Sequence, residues 1–172
     1  MKKFLGLLPV FISLFVISAC GQGDKSKRPS PPASTEMKAG TATIKINYSA
    51  PSVKGREIWG KLVPYGEVWR TGANEATTFE TDADIKVEGQ TLPKGKYALF
   101  TIPGKDEWVI IFNKTADQWG AFNYKKENDA LRVTVRPGLA PAMQEQLKIE
   151  GHVDGSVSIV WEKIEVIFTV TR

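Results

Sequence analysis

The sequence predicts an all-β protein, a single antiparallel β-sandwich domain over residues 41–172, with a closed β-barrel as the alternative. Three observations carry the prediction. Apolar residues alternate with polar ones at period two through most of the chain after Thr41. Glycine and proline turn signals separate these runs. No stretch of ten residues has convincing helical periodicity, so helical layers are missing from the plan.

In chain order, Ile44, Ile46 and Tyr48 alternate with Lys45 and Asn47, and Ile85 and Val87 flank Lys86. The run 108–112 is apolar on both faces, as a central buried strand is. Leu131, Val133 and Val135 alternate with Arg132 and Thr134, and Ile164, Val166, Phe168 and Val170 form the last apolar face. Turns are expected at Glu88-Gly89, Pro93-Lys94-Gly95, Pro103-Gly104-Lys105-Asp106, Pro137-Gly138 and Asp154-Gly155. Residues 140–147 are the one segment suited to two helical turns.

Residues 1–19 read as a signal peptide: Lys2 and Lys3, an apolar run from Phe4 to Ile17, then small residues. That run is short, and its downstream flank polar, for a transmembrane helix. Ile17-Ser18-Ala19-Cys20 resembles a bacterial lipobox, which makes Cys20 the lipidated first residue of the mature chain, carrying palmitate-like acyl groups. Cys20 is the only cysteine in 172 residues, so it has no disulfide partner within the chain, and acylation gives it a purpose. Several acyl chains, at ~0.8 kcal/mol per buried CH₂, anchor a protein stably to a membrane. The expected location is the cell envelope. Gly21, rather than Asp, follows the cysteine and favours the outer membrane, with the periplasmic or surface side left open. Residues 20–40 are read as the lipidated cysteine and a flexible tether, because Met37 is their only large apolar residue.

The formal charge is +4, from 23 basic and 19 acidic residues; without Lys2 and Lys3 the balance is 21 to 19. Basic residues are interspersed with acidic ones, which argues against a nucleic-acid partner. No cofactor motif is present, neither a P-loop nor a dinucleotide fingerprint. One histidine and a lipidated cysteine leave no His/Cys set for zinc, so no metal is expected. His152, before the Asp154-Gly155 turn, lacks a nucleophile elbow and reads as a turn residue.

The chain is organised around residues 54–78, KGREIWGKLVPYGEVWRTGANEATT. Its glycines permit tight turns, and its aromatics have an apolar body to bury and a polar tip to satisfy. Arg56, Tyr65, Trp69, Arg70, Asn74 and Glu75 are the candidate ligand-binding or structural residues here, joined by Trp119 and Tyr124 of QWGAFNY. Trp59, Tyr65 and Trp69 with Trp119 and Tyr124 could form a stacking platform for a sugar ring; the competing reading places Trp59, Trp69 and Trp108 in the core. Trp119 and Tyr124, after a strand and a turn, are expected on a rim. Arg70 either braces the loop through Glu75 or Glu57, or projects into a cleft and meets a ligand anion. Glu57, Glu67, Glu75, Asp82, Asp84, Glu107, Asp117 and Asp129 are the pool from which a catalytic carboxylate pair would come. The reading that results is a non-catalytic envelope binding module, its partners a membrane through the lipid and a carbohydrate or other envelope component. The alternative is a small glycosidase-like hydrolase using a carboxylate pair.

KGREIWGKLVPYGEVWRTGANEATT, followed by LPKGKYALFTIPGKDEWVIIFNK, QWGAFNY and DALRVTV, resembles domain-of-unknown-function family 2911 over roughly residues 27 to 170. The resemblance implies a secreted or lipid-anchored bacterial protein and brings no established activity.

Overall fold

Residues 24–172 are described by the computed structural model, and their regular elements are ten strands and two single 3-10 turns. The leader and Cys20 lie outside the described residues. The strands are β1 (Pro32–Ala39), β2 (Ala42–Ser49), β3 (Thr77–Thr81), β4 (Ile85–Val87), β5 (Gln90–Leu92), β6 (Gly95–Ile102), β7 (Trp108–Asn113), β8 (Asp129–Val135), β9 (Pro137–Gly151) and β10 (Ser156–Thr171). They form a six-stranded sheet, β1-β2-β3-β6-β7-β8, and a four-stranded sheet, β5-β4-β10-β9. Neighbours are antiparallel throughout. The two sheets pack face to face as a sandwich, with β1 against β9 and β8 against β5 and β10. Among the described residues no helix is long and apolar enough to cross a membrane.

Alternation decides which side chains enter the core. Ile44 and Ile46 of β2, Phe79 of β3, Leu99 of β6, Ile110 and Phe112 of β7, and Val166, Phe168 and Val170 of β10 are all buried. Phe112 sits at the centre, edge-on to Phe79 at 5.0 Å and to Phe168 of the opposite sheet at 6.1 Å. The outer face of the large sheet is also covered. Ala98, Phe100 and Ile111 form a second buried cluster beneath Val68, Ala121 and Tyr124. This is why β7 reads as apolar on both faces.

Two expectations are corrected. The flexible tether does not run to Gly40, because Pro32–Ala39 is strand β1, paired in full register with β2. The hairpin turns on Gly40-Thr41, where Gly40 takes φ +59° as a two-residue turn demands. Only Met37 and Ala39 are buried from β1, so its burial signal is thin, and the ladder to β2 supplies most of what holds it. Residues 140–147 are not helical; they lie in β9, opposite β10, with register shifts around Glu162. An edge strand tolerates Pro141, whose missing N–H would cost a helix a hydrogen bond. The 51–53 segment then pairs with the other side of β9, through Val53 N to Glu145 O (2.7 Å) and Leu147 N to Pro51 O (2.9 Å).

Residues 50–76 form the long connection from β2 to β3. Ile58 and Val63 are buried in the main core. Trp59 meets Trp108 at 5.0 Å and Trp69 and Trp161 at 5.8 Å, while Trp69 stacks on Trp161 at 5.8 Å with 16° between planes. Four of the five tryptophans thus form one cluster, with Trp59 and Trp69 partly buried against the main core.

Candidate functional site

The site starts from a short extended piece, residues 68–70, which runs beside β6 without being long enough to count as a strand. Trp69 N donates to Thr101 O (2.8 Å), Thr101 N donates to Trp69 O (2.9 Å), and Gly66 N donates to Pro103 O (2.8 Å). The piece therefore continues the line of β3 beside the end of β6. Alternation sends Trp69 into the core and puts Val68 in the outer cluster with Ala121. Arg70 follows on that outer side, beneath the loop that carries QWGAFNY.

After Arg70 the backbone is strained. Thr71 has φ +55° and Asn74 has φ +57°. For a β-branched residue this is an outlier costing about 1–3 kcal/mol, held here by packing. Thr71 is fully buried, its hydroxyl near that of Thr101 (3.1 Å), and its carbonyl accepts from the Thr77 hydroxyl (2.7 Å). The opposite wall is pinned by Gly120 N donating to Asn74 O (3.1 Å) and Ala76 N to Gln118 O (3.0 Å). Gly120 takes φ +64°, and a Cβ there would lie 3.0 Å from the Phe122 ring and 3.6 Å from Arg70 Nη1. Glycine at this position leaves room for both the ring and the guanidinium.

The result is a cleft of about 340 Å³, lined by Leu62, Val63, Pro64, Glu67, Val68, Trp69, Arg70, Ala121 and Phe122. Phe122 is 84% exposed and Leu62 45%, so apolar surface faces water at its mouth. The Arg70 side chain has no ion-pair or hydrogen-bond partner among the described residues, and its Nε is sealed from solvent. An unpaired buried donor costs about 1–3 kcal/mol. Burial pushes the guanidinium pKa down, with no carboxylate to hold it up. Arg28, Arg56 and Arg132 all have partners.

The other candidates disperse. The brace expected between Arg70 and Glu75 is made instead by Arg28, whose Nη1 donates to both Glu75 oxygens (3.0 and 2.8 Å), with Lys25 at 3.1 Å. Partial burial raises the Glu75 pKa, but hydrogen bonds from its backbone, Lys25 and Arg28 outweigh that and leave it lowered. Asn74 is tied up, its amide donating to Ser30 O (3.1 Å). Trp119, 55% exposed, pairs its backbone with Glu75 and faces a neighbouring depression of about 270 Å³ with Ala76, Thr78 and Gln118. Tyr65 is 40% exposed, with its ring close over Gly60, and does not line the cleft. Arg56 donates to the Val53 and Ser52 carbonyls (3.1 and 2.5 Å), a structural role. Tyr124 is not a rim residue but a buttress. Its ring meets Phe100 edge-on at 5.2 Å, and its hydroxyl donates to Asp129 Oδ2 (2.7 Å) and accepts from Arg132. The single stacking platform of five aromatics therefore does not form.

Sequence reasoning passed over Leu62, Phe122 and Arg28. Phe122 had a signal in Gly120, two residues before it; Arg28 had none, because its partner is 47 residues away.

Among the described residues no three His, Cys, Asp or Glu come together as a metal site. His152 is exposed, its Nε2 2.8 Å from the Ser158 hydroxyl. A more voluminous depression, about 720 Å³, lies on the β6–β7 turn between Lys105, Asp106, Glu107 and Arg136, with mixed charge and no large apolar side chain in its lining. The Arg70 cleft is the better-built site. No curated protein and no solved structure shows a significant match to the chain. A family match does extend over residues 30–170, nearly all of the described domain, and by it the chain belongs to the family described as Protein of unknown function (DUF2911).

Proposed function

We propose that this chain is a cell-envelope lipoprotein, anchored through Cys20, whose β-sandwich is a non-catalytic binding module with the Arg70 cleft as its ligand site. The observation that carries the binding reading is the cleft itself. Its exposed apolar wall and its one unpaired guanidinium are the combination that ligand pockets use, apolar contact with a few placed polar groups. A carbohydrate or another envelope component with a flat face suits it. A glycosidase-like reaction needs two carboxylates across one cleft, and Glu67 is the one carboxylate in this lining.

The binding reading is tested by calorimetry of the full chain with neutral and acidic envelope oligosaccharides, followed by mass spectrometry of the sugars. Binding without cleavage, weakened in Phe122→Ala, is expected. Cleavage abolished by Glu67→Gln would reverse the reading in favour of the hydrolase. Anchoring is tested separately: labelled palmitate should enter the wild type and not Cys20→Ala, and the protein should fractionate with the outer membrane. Equal labelling of both proteins would defeat the lipoprotein assignment.

A further inference from the structure

Resting on the reading of the cleft as a ligand site, we infer that its ligand is an acidic sugar, whose carboxylate binds Arg70 while its ring lies against Phe122. Three independent features converge on this assignment. The Arg70 guanidinium lines the cleft with no hydrogen-bond or ion-pair partner among the described residues, although Glu67 lines the same cleft and Glu75 stands five residues away. Glu75 has been drawn off by Arg28 and Lys25, so it does not neutralise the guanidinium. A planar fork of donors beside an apolar wall is complementary to a planar carboxylate.

The second feature is the backbone. Thr71, the residue after Arg70, is held at φ +55°, and Asn74 at φ +57°. Asparagine adopts this conformation readily, but a β-branched residue does not, and strain at Thr71 directly after an unpaired cation is the pattern of a preorganised site rather than of a relaxed loop. The third is Phe122, whose ring is largely exposed although it stands over Gly120 within reach of the same guanidinium. An exposed ring beside a charge-bearing fork offers one apolar surface and one polar anchor, which is what a uronic acid presents in reverse.

The geometry also chooses between a sugar and an acidic peptide. A peptide that docks on a β-protein usually adds main-chain hydrogen bonds along a free edge. Both walls here are already paired: Gly66 and Trp69 with residues 101 and 103, and Asn74 and Ala76 with Gly120 and Gln118. Recognition must come from side chains, so a compact acidic ring fits better than an extended chain.

The test uses the full chain in detergent and three probes with their uncharged counterparts: trisaccharides of galacturonate, glucuronate and mannuronate, and the same sugars as methyl esters. Binding is followed by calorimetry for the wild type, Arg70→Gln and Phe122→Ala. At least one acid should bind, with its methyl ester roughly tenfold or more weaker, the scale of one charge-assisted hydrogen bond. Arg70→Gln should bring acid and ester to the same weak affinity, and Phe122→Ala should weaken both alike. Wild-type binding of acid and ester with equal affinity, still sensitive to Phe122→Ala, overturns the acidic assignment and leaves the cleft standing. Binding insensitive to Phe122→Ala overturns the cleft as well. No binding of any of the three acids at millimolar concentration, or binding only of an oligo-glutamate peptide run alongside them, overturns the proposal. If Arg70→Gln does not fold, the acid-to-ester ratio of the wild type decides by itself.

Discussion

At the scale of single residues, two arginines exchange the roles that their positions suggest. The Arg70 side chain stands five residues from Glu75 yet has no partner among the described residues, while Arg28 reaches the same carboxylate from the segment before β1. Replacing Arg70 by Leu should therefore leave stability unchanged or raise it by about 1 kcal/mol, because a desolvated, unpaired donor is removed. Arg28→Ala should lower it, by ~1 kcal/mol or less, since the pair is partly exposed and screened. Thermal melts of the two variants distinguish these outcomes, and a large loss in Arg70→Leu would mean that the guanidinium braces the loop after all. The Arg28 contribution should also depend on pH. Glu75 is lowered in the fold from 4.5, so the contribution is present above that value and disappears as pH falls through the depressed one. Arg28→Ala and the wild type should therefore converge in stability in acid and separate towards neutrality.

At the scale of elements, the loop between β7 and β8 is a lid over the outer face of the large sheet, and Asp129 is its fastening. Its carboxylate accepts from the Tyr124 hydroxyl (2.7 Å), Arg132 Nε (2.6 Å) and the Asn113 amide (2.8 Å). Asp129→Ala leaves all three donors without it and should cost about 3 kcal/mol, the scale for removing one member of a buried charged network. Tyr124 reports on the same network. Burial first, and then the hydrogen bond to Asp129, push its phenol up to about 12. A raised phenol stabilises the fold fully below the unfolded value near 10, and that share is lost as pH rises through about 12. Burial also raises the Tyr97 phenol, so phenolate absorbance should show two tyrosines titrating late in the wild type and one of them earlier in Asp129→Asn; an unchanged titration would separate Tyr124 from Asp129. A second contact tests β1. A Cβ on Gly151 of β9 would lie 2.6 Å from Met37 Cβ, so Gly151→Ala should destabilise by about 1–3 kcal/mol. A neutral result would mean that β1 does not close on β9 as described.

At the scale of the whole molecule, the sandwich is continuous from β1 to β10, and the segment before it has a fixed attachment. Removing residues 21–27 takes away the Lys25–Glu75 pair and nothing apolar, and should shift the melting temperature by only a degree or two. Removing residues 21–40 instead strips β1 from β2, withdraws Met37 and Ala39 from the core, and exposes a long strand edge. That shorter protein should melt far below the wild type or aggregate. If both truncations behave alike, β1 is not part of the cooperative unit. The attachment also bears on the proposed lipid anchor. Lys25 follows Cys20 by five positions, a reach of at most ~18 Å. With Lys25 and Arg28 held on Glu75, an acylated Cys20 would keep that end of the domain close to the lipid surface.

The sequence by itself determined the class of the fold, because period-two burial is a local property written into every strand. Ile44 and Ile46, or Val166, Phe168 and Val170, need only their own neighbours to declare a face. It also determined that residues 54–78 matter, since glycines and aromatics crowd there to make a self-packed connection. It could not determine β1, whose inward face holds only Met37 and Ala39 and whose ladder depends on a partner strand. Nor could it rank Arg70 against Arg28, or separate Phe122 from Trp119 and Tyr124. Those assignments depend on which groups meet across long stretches of chain, as Arg28 does with Glu75. Only the tertiary structure brings Gly120 beneath Phe122, turns Tyr124 inward to Asp129, and leaves the Arg70 guanidinium partly buried without a partner among the described residues. A hydrogen bond is decided by distance in space, and local pattern has no access to that distance.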